Sequence, residues 1–222
     1  MIGVVTGLVA EARCLRQGQN RFVCTGGSST RAREGAERLV AQDVCALCSF
    51  GLAGGLHPEL LAGSLILPEI VVMPNHERIE TDSIWRERLA YLARAANLDP
   101  LLLNVLGSDD LVATPAEKAA LYQTTGAAAV DMESHAVGEV AAAAKLPFVV
   151  VRVVADTQRE TIPKAARQGL GDRGEIKPLA VLVELMRRPN ETGPLIRLGR
   201  CSGQALGALR KVASLAPDLA YV

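Results

Sequence analysis

Aromatic side chains are almost missing from this chain: three Phe, three Tyr and one Trp make up 3% of 222 residues. That scarcity excludes the base-stacking platforms by which single-stranded nucleic acid is held, and it leaves the core to Ala, Leu and Val. Excess charge is missing too. The 24 Lys and Arg balance 24 Asp and Glu, so no global basic field favours nucleic acid. No apolar run reaches the ~18–20 residues of a membrane span. The five cysteines (Cys14, Cys24, Cys45, Cys48, Cys201) are odd in number and scattered, which does not describe a disulfide scaffold. Cys45 and Cys48 have C-x-x-C spacing, but no second pair or histidine stands nearby, and they read as part of a buried strand. The three histidines (His57, His76, His135) lack metal-ligand spacing, so no metal is expected. Met1 runs straight into IGVV without a basic start, which predicts no leader and a cytoplasmic location. The first strand also lacks a G-x-G-x-x-G with an acid ~20 positions on, which argues against a dinucleotide site.

What remains is an apolar chain, 49% hydrophobic, of a length that suits one large α/β domain. Strands and helices alternate. Ile2 to Thr6, Arg21 to Cys24, Val44 to Phe50, Leu65 to Met73 and Leu101 to Leu106 read as strands. A helix carrying Glu11, Arg13 and Arg16 follows the first. Thr30 to Ala41 and Asp82 to Ala96 read as helices, and Thr114–Pro115–Ala116–Glu117 is a helix start with Thr as N-cap, Pro at N1 and Glu at N3. Glycines recur after strands, as in Gly26–Gly27 and in a Gly51–Leu52–Ala53–Gly54–Gly55 loop. The pattern predicts a three-layer α/β/α fold with a central mixed sheet. Residues 158–175 are polar and glycine-broken, which predicts a loop.

The most informative stretch runs from Val130 to Thr157. Val130–Asp131–Met132–Glu133 closes an apolar run and opens an Ala-rich helix, which Lys145–Leu146–Pro147 ends. Phe148 to Val154 is a run of β-branched residues typical of a buried strand, and Asp156 stands just past it, where α/β sheets present ligand-binding groups. A carboxylate at a helix start and another at a strand end can converge on one crevice. That is an acid/base site in outline. Asp131 and Arg152 read as structural, the arginine as a buried ion-pair partner.

In this order and spacing, Gly7, Ser49 to Leu56, Gly63–Ser64–Leu65, Gly107–Ser108–Asp109, Val130 to Glu133 and Val151 to Asp156 resemble the nucleoside phosphorylase and nucleosidase superfamily over about the first 190 residues. The wording GLVAEAR, SFGLAGGL, ATPAEKAAL and VDMESHAV is most similar to the hopanoid-associated phosphorylases, which act on adenosylhopane. The resemblance implies cleavage of an N-glycosidic bond with release of adenine. Asp156 would then protonate or hydrogen-bond purine N7, and Glu133 would hold the ribose hydroxyls and favour the cationic sugar. Met132 would pack against the sugar, Leu111 and Val112 would meet the base, and Gly54 would approach the substrate from the glycine loop. Inorganic phosphate would be the co-substrate, with the Gly7 backbone, Arg13 and Arg31 or Arg33 as candidate ligands. No other cofactor is implied.

Some positions depart from that pattern. Many purine phosphorylases carry arginine at the place of Ser49 and serine at that of Leu52. Nucleosidases place a water-orienting glutamate after the first strand, and the closest register puts Ala12 there, one residue from Glu11. Phosphate and water therefore both stay open as nucleophile: the alternatives are phosphorolysis in hopanoid biosynthesis and hydrolysis of methylthioadenosine or adenosylhomocysteine. A non-catalytic nucleoside-binding subunit is a third reading. Relatives complete their sites with partner residues, so a homo-oligomer is expected. Beyond a catalytic domain of residues 1–189, residues 190–222 form a C-terminal helical extension. Leu195, Leu198, Leu206, Leu209 and Val212 recur at helical spacing beside Arg197, Arg200, Arg210 and Lys211. Such a helix either packs on the domain or lies at an anionic membrane surface near a lipid-linked substrate.

Overall fold

The computed structural model describes residues 1–15, 20–169, 171, 174–175 and 177–215; Arg16 lies outside them, as does part of the predicted loop 158–175. In chain order the elements are β1 (Ile2–Thr6), α1 (Val9–Ala12), β2 (Arg21–Cys24), α2 (Ser29–Val40), β3 (Ala46–Gly55), β4 (Leu65–Ile66), β5 (Ile70–Val72) and β6 (Arg78–Glu80). They continue with α3 (Ser83–Ala95), β7 (Val105–Gly107), α4 (Pro115–Thr125), β8 (Ala129–Asp131), α5 (Ser134–Ala144) and β9 (Phe148–Asp156). The last are α6 (Lys164–Gln168), α7 (Pro178–Arg187), a 3-10 turn at Pro189–Glu191 and α8 (Thr192–Leu215).

The sheet is mixed, in the order β2-β1-β3-β8-β7-β5-β6, with β9 pairing β3 and β4. β3 is the pivot. It runs parallel to β1 and to β9, then turns its last residues, Gly54 and Gly55, antiparallel against β8. Side chains alternate across it with a period of two. Cys48 and Phe50, with Val149, Val151 and Val153 of β9, pack on Trp85 and Leu89 of α3 and Leu209 and Val212 of α8. Leu47 and Val150 pack on Ala36 and Leu39 of α2 and Val137 and Val140 of α5 on the other face. Helices thus cover both faces.

Several local expectations shift. The Gly51–Leu52–Ala53–Gly54–Gly55 segment is strand rather than loop, and β3 starts at Ala46 instead of Val44; with almost no side-chain bulk it lies flat between β9 and the cleft. The predicted strand Leu65 to Met73 splits into β4 and β5 around Pro68, which has no N–H for a ladder. Of Leu101 to Leu106 only the end is strand, Leu101 making an isolated bridge to Ile66. Within the predicted loop 158–175, Lys164–Gln168 is helical. α8 begins at Thr192, not Leu195, because Pro194 sits in its first turn, where an N–H has no helical partner. Ala205, Leu209, Val212 and Ala213 of α8 are core residues, and burying a Leu or Val contributes roughly 1.5–3 kcal/mol each.

Candidate active site

The β8–α5 junction makes the first half of the site. Asp131 ends β8, and its Oδ1 accepts from the backbone N–H of Glu133 (2.8 Å) and of Ser134 (2.7 Å). Asp131 therefore satisfies the N-terminal donors of α5 that the N-cap residue would normally serve, and the Glu133 carboxylate is free to turn elsewhere. It turns to Arg152. This guanidinium, fully buried on β9, donates to Asp131 Oδ2 at 3.0 Å, to Glu133 Oε2 at 3.1 Å, to Ser49 Oγ at 2.6 Å and to Ser134 Oγ at 3.1 Å.

A third carboxylate closes this cage. Glu11, 2% exposed, accepts at Oε2 from the N–H of Gly7 and of Leu8 and at Oε1 from the N–H of Leu52, each at 2.8 Å. Two glycines make room for the assembly. A Cβ on Gly7 would stand 2.5 Å from Glu133 Oε1, and one on Gly51 would meet both Arg152 and Glu11 within 3 Å. Burial raises Glu11 above the usual carboxylate range against the pull of Arg152. Glu133 is pushed up to about 8 by burial, and the charges of Asp131 and Glu11 reinforce the rise while Arg152 opposes it. Burial alone would lower Arg152, but Asp131, Glu133 and Glu11 outweigh it and raise the guanidinium above its ordinary value.

The second half of the site is Asp156 at the end of β9. The β3–β9 register slips there: Ala53 faces Val154 but Gly54 faces Asp156, so Ala155 is an extra residue. Bulges of this kind re-aim a side chain at a strand end. Asp156 Oδ2 accepts from Lys118, a fully buried lysine on α4, whose ammonium also donates to the carbonyls of Thr157 (2.8 Å) and Glu160 (2.9 Å). All three of its protons are used. Asp156 Oδ1 has no protein donor among the described residues. Burial raises the Asp156 pKa, and Lys118 restrains the rise.

Both halves open into one cleft of roughly 250 Å³. Of the residues expected at the site, Gly7, Gly54, Leu111, Met132, Glu133 and Asp156 line it, together with Glu11, Leu8, Leu52 and Ile162. The wall is mostly apolar. Val112 does not line it and packs instead with Leu56 and Tyr122. The arginines face elsewhere on this chain. Arg13 borders a separate groove beside Arg210 and Lys211. Arg31 ties down the glycine turn through the carbonyls of Thr25 (2.6 Å) and Gly26 (3.2 Å), and Arg33 pairs with Glu139. The one lysine or arginine side chain at the mouth among the described lining residues, besides the caged Arg152 behind it, is the exposed Arg167. His135 is buried against Asp109, His57 stacks edge-on to Tyr122, and His76 is exposed. No group of three or more metal-ligating side chains occurs among the described residues.

The family model of the phosphorylase superfamily matches residues 5–186 of this chain. The chain belongs to the nucleoside phosphorylase and nucleosidase superfamily. Its fold is similar to that of the 5′-methylthioadenosine/S-adenosylhomocysteine nucleosidase of Neisseria meningitidis, solved with methylthio-immucillin-A, at TM-score 0.73 and 14% identity over 96% of both chains. It is also similar to a putative nucleosidase of the same name from Francisella philomiragia (TM-score 0.67, 16% identity, 84% of this chain and 98% of that one). The futalosine hydrolase of Helicobacter pylori matches at TM-score 0.62 and 17% identity over 70% of this chain and 87% of its own. No curated protein matches.

Two residues of this candidate site escape a reading of the sequence. Lys118 sits in AEKAAL, where a helical lysine normally faces solvent, and its partner lies 38 residues away. Glu11 is displaced by one residue from the place where the family register looks for a carboxylate. The helix expected to carry Glu11, Arg13 and Arg16 ends at Ala12 in the structure, which leaves Glu11 at its third position, beside the Gly7 and Leu8 amides.

Proposed function

We propose that this chain cleaves the N-glycosidic bond of a purine ribonucleoside bearing an apolar 5′ substituent and releases the base, with water as the nucleophile. The observation that carries the reading is the buried Glu11 carboxylate, fixed by three backbone N–H groups on the cleft wall it shares with Glu133, with the caged Arg152 behind. As the C1′–N9 bond breaks, its electron pair goes to the base and Asp156 delivers a proton to N7. Water attacks C1′ and gives its proton to Glu11, whose raised pKa suits a general base. Glu133 accepts from the ribose hydroxyls, and Met132 and Leu111 offer an apolar bed. Three carboxylates already share the one arginine here, so a phosphate dianion would have to compete with them for it.

Phosphorolysis is the second reading, favoured by Arg167 at the mouth. It would draw its other cations from a partner subunit of a homo-oligomer, since Arg13, Arg31 and Arg33 face away from the chain's own cleft. Adenosylhopane, in hopanoid biosynthesis, is the substrate that the hopanoid-associated resemblance favours for either nucleophile, and methylthioadenosine is the small alternative. The deciding experiment measures adenine release from both compounds with and without inorganic phosphate and identifies the sugar product. Free sugar at a phosphate-independent rate supports water. A strict phosphate requirement with a sugar 1-phosphate product would replace it by phosphorolysis, and no adenine from either compound would overturn both.

A further inference from the structure

α7 is built inside out. The residue it buries is a carboxylate, Glu184, paired with Arg188 at 2.7 Å and Arg187 at 3.8 Å. The residues it exposes are Leu179, Leu182, Val183 and Met186, at 78, 54, 41 and 69%. Their spacing of i, i+3, i+4 and i+7 makes one continuous stripe. Ile196, just past the 3-10 turn, is 53% exposed as well. A soluble chain has no use for such a stripe in water, and contiguous exposed apolar surface marks a contact site.

The charge around the stripe points to the partner. Lys177, Arg187, Arg188, Arg197 and Arg200 are all exposed, while the acids of the same segment are withdrawn: Glu184 is buried, and Glu191 is half-buried and accepts from the Ala165 N–H at 3.0 Å. The outward charge is positive although the whole chain has formal net charge zero. A second copy docked here about a two-fold axis would bring the same patch, and so the same cations, together, whereas an anionic surface would neutralise them. The neighbours of α7 also wall the cleft: Ala166 and Arg167 of α6, and Leu198 and Ser202 of α8, line it.

We infer that α7 docks this chain on an anionic lipid surface, its apolar stripe seated at the level where headgroups meet acyl chains and its cations on the headgroup phosphates. The cleft mouth then lies beside the bilayer, and a nucleoside whose apolar 5′ substituent stays in the lipid can present its base and ribose from that side. This link to substrate rests on the base-releasing reading; the docking itself does not.

The test uses the full chain and sedimentation with vesicles of phosphatidylglycerol mixed with phosphatidylcholine, or of phosphatidylcholine alone. Binding to the anionic vesicles should be at least ~10-fold tighter. Leu182→Glu with Met186→Glu should lower it by a further ~10-fold or more while adenine release from soluble methylthioadenosine and the melting temperature stay unchanged. Lys177→Glu with Arg197→Glu, both exposed and outside the cleft lining, should abolish the preference for the anionic vesicles. Failure of the parent chain to sediment with vesicles would overturn the docking, as would both double variants binding like the parent. So would a parent dimer that Leu182→Glu with Met186→Glu turns into a monomer. A chain that binds vesicles but releases no adenine would leave the docking standing and sink the catalytic reading instead.

Discussion

The two cations buried at this site are used in opposite ways. Arg152 serves many partners: a planar fork of donors spans Asp131, Glu133, Ser49 and Ser134, with Glu11 close by. Lys118 serves one carboxylate and two carbonyls, as a point charge with three protons. The arginine cage therefore gathers three carboxylates around one cation and can take on negative charge as a sugar beside it becomes positive. The lysine pair sets one carboxylate against one cation and, among the described residues, leaves one oxygen of Asp156 without a protein donor, which suits the hand-over of a single proton to a leaving base. A buried charge without a partner costs several kcal/mol, so each group is tolerated only because its own opposite is built beside it.

The hardest way to break the contrast is to remove the proton at the lysine end. Asp156→Asn should keep substrate binding and lose turnover by up to ~10⁴-fold, the upper range for a general acid. Its amide oxygen can still accept from Lys118, so the fold should survive. Near-parental turnover on a purine nucleoside would remove Asp156 from the chemistry. Glu11→Gln probes the arginine end and should cost nearer ~10²-fold in kcat, because an amide orients water but takes no proton. If its kcat is parental while Asp156→Asn is dead, the nucleophile does not depend on Glu11.

The contrast was only half legible in the sequence. The strand–helix–strand unit from Val130 to Asp156 could be read almost to the residue, because β-branched runs, an Ala-rich helix and Pro147 mark their own boundaries locally. Asp131, Glu133 and Arg152 all lie within that unit, so their meeting followed from local structure. The lysine end depends on a tertiary contact between α4 and the end of β9, and no local pattern distinguishes Lys118 from a solvated helix charge. The glycine run after Phe50 misled for a related reason: glycines mark turns in isolation, but here they keep a strand thin against Glu11, Arg152 and Asp156. α7 was not read from the sequence at all, and periodicity would have said which of its residues share a face but not which face meets water.

A subtler change sharpens the difference without destroying activity. Lys118→Met removes the cation that restrains the Asp156 pKa. The carboxyl should then stay protonated to higher pH, so the alkaline limb of kcat/KM should move upward by about one unit or more, with KM for the nucleoside little changed. A fall in activity at every pH with the limb in place would mean that Lys118 only packs α4 against the strand.

The smallest effect belongs to the arginine cage and is read in stability. Glu133 is pushed up to about 8, from an ordinary carboxylate value of 4.5. The folded state therefore holds a proton that the unfolded chain releases near pH 4.5. Its stabilising contribution is complete below that pH and is lost as pH rises towards 8. Glu133→Gln cannot titrate, so its melting temperature should gain on the parent's across this window, by at least ~2–4 °C, the shift that ~1 kcal/mol gives in a domain of this size. The variant keeps an oxygen for Arg152, whose charge is still answered by Asp131 and Glu11. Asp156→Asn, whose carboxyl is restrained by its own lysine, should show a weaker trend of the same sign. Parallel melting curves for Glu133→Gln and the parent between pH 5 and 8 would mean that Arg152 holds Glu133 ionised throughout, and the negative charge of the cage would then be present before any substrate arrives.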